Sequence, residues 1–173
     1  ASYIGNQGIT ECRSGNYKAG EKLFHSALEI FKQHGFEQGI ANTLNSLGNV
    51  AKHYQNYVLA EEYYKTSMEI KNRLGDELGA FNSLLNIGII RRMTKNYNEA
   101  LEIFGKIAQS EPGNVTALSM VANCYLKLNE IDIAKEIISN IENPDKEKNQ
   151  DYISAKSQID IFEKSEDSNI DDE

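Results

Sequence analysis

The residues best suited to chemistry in this chain do not form a catalytic or metal-binding pattern. The stretch at residues 15–22 begins like a phosphate-binding loop, but Glu21 stands where that loop needs its lysine and no serine or threonine follows. The histidines His25, His34 and His53 have no partners at the spacing that metal ligands require. We therefore predict that the protein is not an enzyme and has no cofactor and no metal site.

The two cysteines are interpreted as small, partly buried residues, because an unpaired cysteine packs like a small hydrophobic side chain. A reactive thiol at Cys12 or Cys124 is the alternative. Two cysteines do not make a disulfide framework, so we expect a reducing, cytoplasmic location. The triplet at residues 114–116 fits a glycosylation site, but nothing else in the sequence indicates secretion.

Composition and charge narrow the class of protein further. The chain has 173 residues, with 26 acidic and 18 basic side chains and a net charge of -8, which argues against a nucleic-acid partner. Hydrophobic residues make up 40%, enough for a core, yet no apolar run is long enough to span a membrane. Residues 145–173 hold 10 acids and 4 bases, so most of the negative charge lies at the C-terminus.

One pattern of small and aromatic residues recurs along the chain. Three copies are spaced by forty residues, and a fourth follows after thirty-four. The matching positions are Gly8, Tyr17, Gly20 and Phe24; Gly48, Tyr57, Ala60 and Tyr64; Gly88, Tyr97, Ala100 and Phe104; and Ala122, Ile131, Ala134 and Ile138. Such self-similarity is typical of helical repeat proteins, in which stacked units share a continuous core.

The pattern resembles the tetratricopeptide repeat, a helix–turn–helix unit of about 34 residues. The forty-residue spacing is similar to that of Pins-type adaptors, kinesin light chains and bacterial peptide-sensing regulators. The resemblance implies an all-α fold, a right-handed α-solenoid of four helical hairpins. The repeats lie near residues 1–36, 37–76, 77–112 and 113–144. The sequence departs from the family where Glu11, Ala51 and Arg91 replace a usual tyrosine, which Tyr125 keeps.

Helical spacing of apolar residues supports these units. Leu23, Phe24, Ala27, Leu28 and Phe31 form one stripe, and glycine-bounded breaks place the starts of two later helices near Glu37 and Glu77. After Pro144, a 3-4-3 spacing of apolar residues predicts a capping helix at 145–164, and residues 165–173 are expected to be a disordered acidic tail. The first unit starts late in its helix, so we expect a fragment or processed form of a longer protein.

The resemblance also assigns a ligand-binding face. In the family, positions 2, 5, 6 and 9 of each repeat line the concave surface. Seven of these sixteen positions are asparagine, although the whole chain has only 18 in 173 residues. They are Asn6, Asn42, Asn45, Asn49, Asn82, Asn86 and Asn123. Because an amide offers both a donor and an acceptor, a row of them suits the backbone of an extended peptide.

Positions 12 and 13, at the edge of this face, make it locally positive. They hold Arg13, Lys52, Arg92 and Lys127 and no acid, which favours a peptide with acidic side chains. Two alternatives remain: the face is solvated and has no ligand, or it is occupied by the acidic tail of the chain itself or by a second copy.

We therefore predict a non-catalytic protein–protein interaction module that binds an extended, acidic-containing segment of a partner. The clamp of lysine, arginine and asparagine side chains with which related repeats bind chaperone tails is missing. Gly5, Asn82 and Asn86 stand at its basic positions, and Ile9 and Ser46 stand at its asparagine positions. One alternative is a regulatory or sensor domain of a larger signalling protein. Another is a structural module that self-associates through its N-terminal repeat. Neither nucleic acid nor membrane is expected as a partner.

Overall fold

Nine α-helices form the described part of the chain. The computed structural model describes residues 1–170, with side chains up to residue 164, and contains no β-strand within that range. The prediction of an all-α fold is confirmed. The helices are α1 (Ser2–Arg13), α2 (Tyr17–Gln33), α3 (Glu37–His53), α4 (Tyr57–Arg73), α5 (Glu77–Met93), α6 (Tyr97–Ser110), α7 (Val115–Lys127), α8 (Ile131–Ser139) and α9 (Gln150–Ile170), with a 3-10 turn at Lys146–Lys148 before α9. The acidic tail predicted at residues 165–173 lies outside the residues whose side chains are described.

Tight turns between helices use one residue with a left-handed backbone. Gly15, Gly35 and Gly75 have φ values of 84°, 63° and 73°, in a region that glycine enters without steric strain. Equivalent turns place Gln55, Lys95 and Asn129 at φ values of 60–65°. Each of these turns spans three residues, and α3 and α5 begin at Glu37 and Glu77 as predicted.

The chain divides into two compact units, residues 1–90 and the residues from Arg91 onward. In the first unit, the core forms between α2, α3 and α4 around Phe24, Leu47 and Val50. In the second, α7, α8 and α9 share a core that includes Leu126 and Ile138. The predicted C-terminal helix is present as α9, and its buried side chains Tyr152, Ala155 and Ile159 join this second core.

Small residues allow the two helices of a hairpin to approach closely. A Cβ added at Gly48 would lie 2.5 Å from Cε1 of Tyr64, whose side chain is fully buried. A Cβ added at Gly8 would meet the ring of Phe24 at 2.7 Å. The small residue and the aromatic ring that recur in the sequence are thus the two sides of one contact.

This contact predicts the effect of Gly48→Ala. The added methyl group should lower the free energy of unfolding by about 1–3 kcal/mol, because the buried Tyr64 ring cannot move aside. The gain in helix propensity, up to about 1 kcal/mol, offsets only part of the loss. Urea denaturation followed by circular dichroism measures the change.

Gly105→Ala is the matched control, because nothing lies within 4 Å of a Cβ added at this helical glycine. It should leave stability unchanged or raise it by up to about 1 kcal/mol. Equal effects at both glycines would contradict the steric explanation.

Candidate functional site

A continuous cleft runs between α1 and α3 in the first unit. Its first part, about 170 Å³, has a floor of Phe24, Phe31 and Phe36 and is bordered by Asn6 and Asn42. Its second part, about 260 Å³, includes Arg13, Tyr17 and Asn49. The two parts share Ile9, Phe24 and Ser46, so one segment of a ligand could contact both. We call the first part the aromatic cleft and the second part the arginine cleft.

Asn49 is held with its amide NH₂ group available. The hydroxyl of Tyr64 donates a 2.8 Å hydrogen bond to Asn49 Oδ1, and the Asn49 side chain remains exposed. Burial raises the pKa of the Tyr64 phenol above its ordinary value, so this hydroxyl stays protonated and keeps donating. Asn49 Nδ2 has no partner among the described residues and is therefore free to donate to a ligand.

Asn45 and Asn86 form a second fixed pair. Asn86 Nδ2 lies 3.4 Å from Asn45 Oδ1, and the Ser83 hydroxyl lies 3.5 Å from the same oxygen. This orientation turns Asn45 Nδ2 and Asn86 Oδ1 away from the contact, one as a donor and the other as an acceptor. A donor next to an acceptor matches the N–H and C=O groups of an extended backbone.

Three further asparagines of the predicted site, on α1, α3 and α5, are not held by hydrogen bonds of this kind. The side chains of Asn6, Asn42 and Asn82 are exposed and have no hydrogen-bond partner among the described residues. Asn6 and Asn42 face the aromatic cleft from opposite walls. The structure therefore brings Asn6, Asn42 and Asn49 to the cleft and places Asn45 and Asn86 at the adjoining contact between α3 and α5.

Asn123 does not lie on an open face, contrary to the prediction. It is only 4% exposed, because α9 lies on this face of α7. Its Nδ2 donates 2.9 Å hydrogen bonds to the main-chain oxygens of Ser119 and Asp151, and its Oδ1 accepts from Gln158 at 3.3 Å. The pattern of α7 alone could not show that another helix of the same chain covers it.

The four predicted cations differ in their surroundings. Arg13 is exposed at the arginine cleft, while burial of Lys52 lowers the pKa of its ammonium group. In the second unit, Arg92 Nε is buried and has no hydrogen-bond partner among the described residues. Lys127 donates to Gln158 Oε1 of α9 at 3.3 Å, so it too is engaged by this helix.

The two cysteines and His53, which the sequence offered for chemistry, are engaged in packing. Burial, with a smaller effect of Glu11, raises the pKa of the Cys12 thiol, and burial raises that of Cys124 to about 11 despite the nearby charge of Arg92. Both thiols are thus poor nucleophiles at neutral pH. The ring of His53 stacks on Tyr17, with centroids 3.5 Å apart. Within the described residues, no group of three or more histidine, cysteine or acidic side chains could hold a metal ion.

Sequence reasoning missed a buried polar cluster behind Asn45. Lys71 is 4% exposed, and its Nζ lies 3.3 Å from the Gly79 carbonyl and 3.4 Å from Ser83 Oγ, while Ser67 Oγ lies 3.3 Å from Ser83 Oγ. The forty-residue spacing aligns Lys71 with Phe31, so a charge at an apolar repeat position was the available signal.

Comparisons with known proteins agree with this architecture. Family models of the tetratricopeptide repeat match residues 1–71, 39–110 and 92–159. No curated protein sequence matches the chain. In the part of the chain that is described, every helix is too short or too polar to cross a lipid bilayer.

Two solved structures are similar in fold. The crystal structure of BtubC (BKLC) from P. vanneervenii has a TM-score of 0.67 at 19% identity, covering 82% of this chain and 65% of that one. The Hsp90 co-chaperone Cns1 from Saccharomyces cerevisiae has a TM-score of 0.65 at 19% identity, covering 79% of this chain and 43% of that one. The chain thus spans less than two thirds of the length of either. The predicted solenoid of helical hairpins is confirmed.

The buried Lys71 predicts a dependence of stability on pH. Burial lowers its pKa, and the opposing effect of Asp76 is smaller. As pH rises from neutral towards about 10.4, the unfolded chain retains a proton that folded Lys71 loses, so this residue destabilises the fold progressively less. Lys71→Met should therefore stabilise the protein by about 1–2 kcal/mol at pH 7 and by less near pH 10.

Urea denaturation at several pH values, with Lys71→Met compared directly with the native chain, isolates this contribution from other titrating groups. Lys22→Met, at an exposed position of α2, is the control and should show no such trend. A stability difference for Lys71→Met that is constant between pH 7 and pH 10 would contradict the role of its burial.

Proposed function

Because the chain belongs to the tetratricopeptide repeat family, whose members are typically non-catalytic interaction modules, we propose that its first unit binds an extended, acidic-containing segment of a partner protein. The segment lies along the cleft between α1 and α3 and across the adjoining contact between α3 and α5. Its backbone is bound by asparagine amides, and its acidic side chains are bound near Arg13 and Lys52.

The observation that carries this proposal is the contact between Asn123 and α9. There, the amide of an asparagine on the equivalent repeat position donates to the main-chain oxygen of Asp151, at 2.9 Å. Asn49 follows Gly48 as Asn123 follows Ala122, so both occupy the same position of the repeat. Asn49 presents the same donor, but no described segment of the chain accepts from it.

Charge supports an acidic partner. The lining of the arginine cleft contains Arg13 and no carboxylate, and Lys52 lies on the adjoining turn of α3. A segment with an aspartate or glutamate near Arg13 would gain an ion pair at an exposed site, worth up to about 1 kcal/mol.

A chaperone tail is not the proposed ligand, although one similar structure is named an Hsp90 co-chaperone. Related repeats clamp the terminal carboxylate of such tails with lysine and arginine side chains. Gly5, Asn82 and Asn86 occupy the corresponding positions, and none of them can form an ion pair. We propose an internal, extended segment instead, bound through its backbone.

The first test of this proposal removes the fixed amides. A peptide array identifies segments that the native chain captures, and fluorescence anisotropy measures their affinity. Asn45→Ala, Asn49→Ala and Asn86→Ala together should weaken binding by about 10-fold or more, because each lost hydrogen bond contributes about 0.5–1.5 kcal/mol.

The control is Asn72→Ala, which removes an exposed asparagine on α4 away from the cleft. It should bind like the native chain, and circular dichroism should show the same helicity in all variants. Unchanged affinity in the triple variant, or no captured segment with the native chain, would refute the proposal.

A second test concerns charge. Arg13→Glu should weaken binding of an acidic peptide by about five-fold or more at low salt, since an attractive exposed pair becomes repulsive. The difference should shrink at high salt, because mobile ions screen exposed charges. Lys18→Glu, an equal charge change at an exposed position of α2, should have a smaller effect. An identical response of both variants would show that only net charge matters.

A further inference from the structure

The aromatic cleft has the size and lining of a pocket for one side chain. Its volume is about 170 Å³, and a cavity of similar size lined by apolar side chains can hold a benzene molecule. It is therefore large enough for a leucine or phenylalanine side chain and too small for a helix. Phe24 and Phe31, both buried, and the half-exposed Phe36 supply its apolar surface.

Two glycines open this cleft. Nothing lies within 4 Å of a Cβ added at Gly5, so its missing side chain leaves open space towards the cleft that it lines. On the opposite wall, a Cβ added at Gly39 would meet Phe36 and Phe31 at 2.5 and 2.6 Å, so the bare backbone there lets both rings sit close. Gly5 lies inside α1, where glycine is less favourable than any residue except proline.

The chemistry of the lining selects the occupant. The aromatic cleft is lined by no charged side chain, whereas the neighbouring arginine cleft includes Arg13. The amides of Asn6 and Asn42 lie at its border and can bind the backbone beside a buried side chain. A neutral apolar side chain fits the first cleft, and an acidic one fits the second.

We propose that the aromatic cleft is a specificity pocket that binds one large apolar side chain of the partner segment. This inference rests on the proposed function and defines its ligand further. Gly5 and Arg13 are eight residues apart on α1, about 12 Å along the helix, which corresponds to three or four residues of an extended chain. The partner segment thus carries leucine, isoleucine or phenylalanine three or four residues from an aspartate or glutamate.

The experiment fills the pocket without disturbing the fold. The probe is a library of random nine-residue peptides with one fixed aspartate, selected against the native chain and against Gly5→Leu. Leucine is a better helix former than glycine, and space is open at this position, so the variant should fold at least as stably. Gly105→Leu, at a helical glycine of α6 that also faces open space, is the matched control.

The native chain and Gly105→Leu should enrich large apolar residues at the predicted spacing from the aspartate. Gly5→Leu should lose this enrichment. For an enriched peptide, changing its apolar residue to alanine should weaken binding to the native chain by about 10-fold or more and to Gly5→Leu by less than two-fold.

The remaining outcomes separate the two proposals. Selected peptides without apolar preference, or an unchanged preference in Gly5→Leu, would overturn the pocket but leave the amide-bound segment intact. Failure of the native chain to select any peptide would overturn both. Sedimentation velocity addresses a second copy as the occupant: a native dimer that Gly5→Leu converts to a monomer would overturn the pocket for a partner segment.

Discussion

The contact between Tyr64 and Gly48 is the constraint on which the first unit depends. The buried ring lies against the bare backbone of α3, which sets how closely α3 and α4 can pack. The hydroxyl of the same side chain emerges next to Asn49 and fixes the orientation of its amide. One residue therefore determines both the spacing of the hairpin and the direction of a hydrogen-bond donor on its exposed side. Helix packing and the orientation of this donor are coupled because they depend on the two ends of one aromatic side chain.

The helices follow from local patterns that can be identified in the sequence. Apolar residues at helical spacing, such as Phe24 and Leu28, identify the buried stripe, and left-handed turn residues end each helix. Gly48 and Tyr64 have equivalents at the same spacing in other repeats, so the contact between them could also be predicted. A helix that caps the last unit could be predicted, but the face of α7 that it covers could not. The side chains Tyr152 and Ile159 of α9 indicate a buried face, but only the tertiary packing shows that α9 covers Asn123.

The candidate site was predicted in part, for a clear physical reason. Asn42 and Asn49 lie on a helix face that an angular pattern can identify. Phe24 and Phe31 could not be recognised as the floor of a cleft, because an aromatic residue on an apolar stripe looks the same whether it is covered on all sides or borders a cleft. Whether the cleft is open depends on Gly5, which has no side chain to fill it, and on the distance between α1 and α3.

The same repeat position serves two purposes in this chain. On α7, an asparagine is satisfied by the backbone of α9, and the face is closed. On α3, asparagines that disfavour the helix remain exposed, and the polar cluster of Ser67, Lys71 and Ser83 behind them replaces apolar packing. Asparagine alone does not select an open surface, because the fold can cover it. We propose the first unit as the binding surface because its unsatisfied donors lie beside an apolar cleft, on helices whose intrinsic stability these asparagines lower.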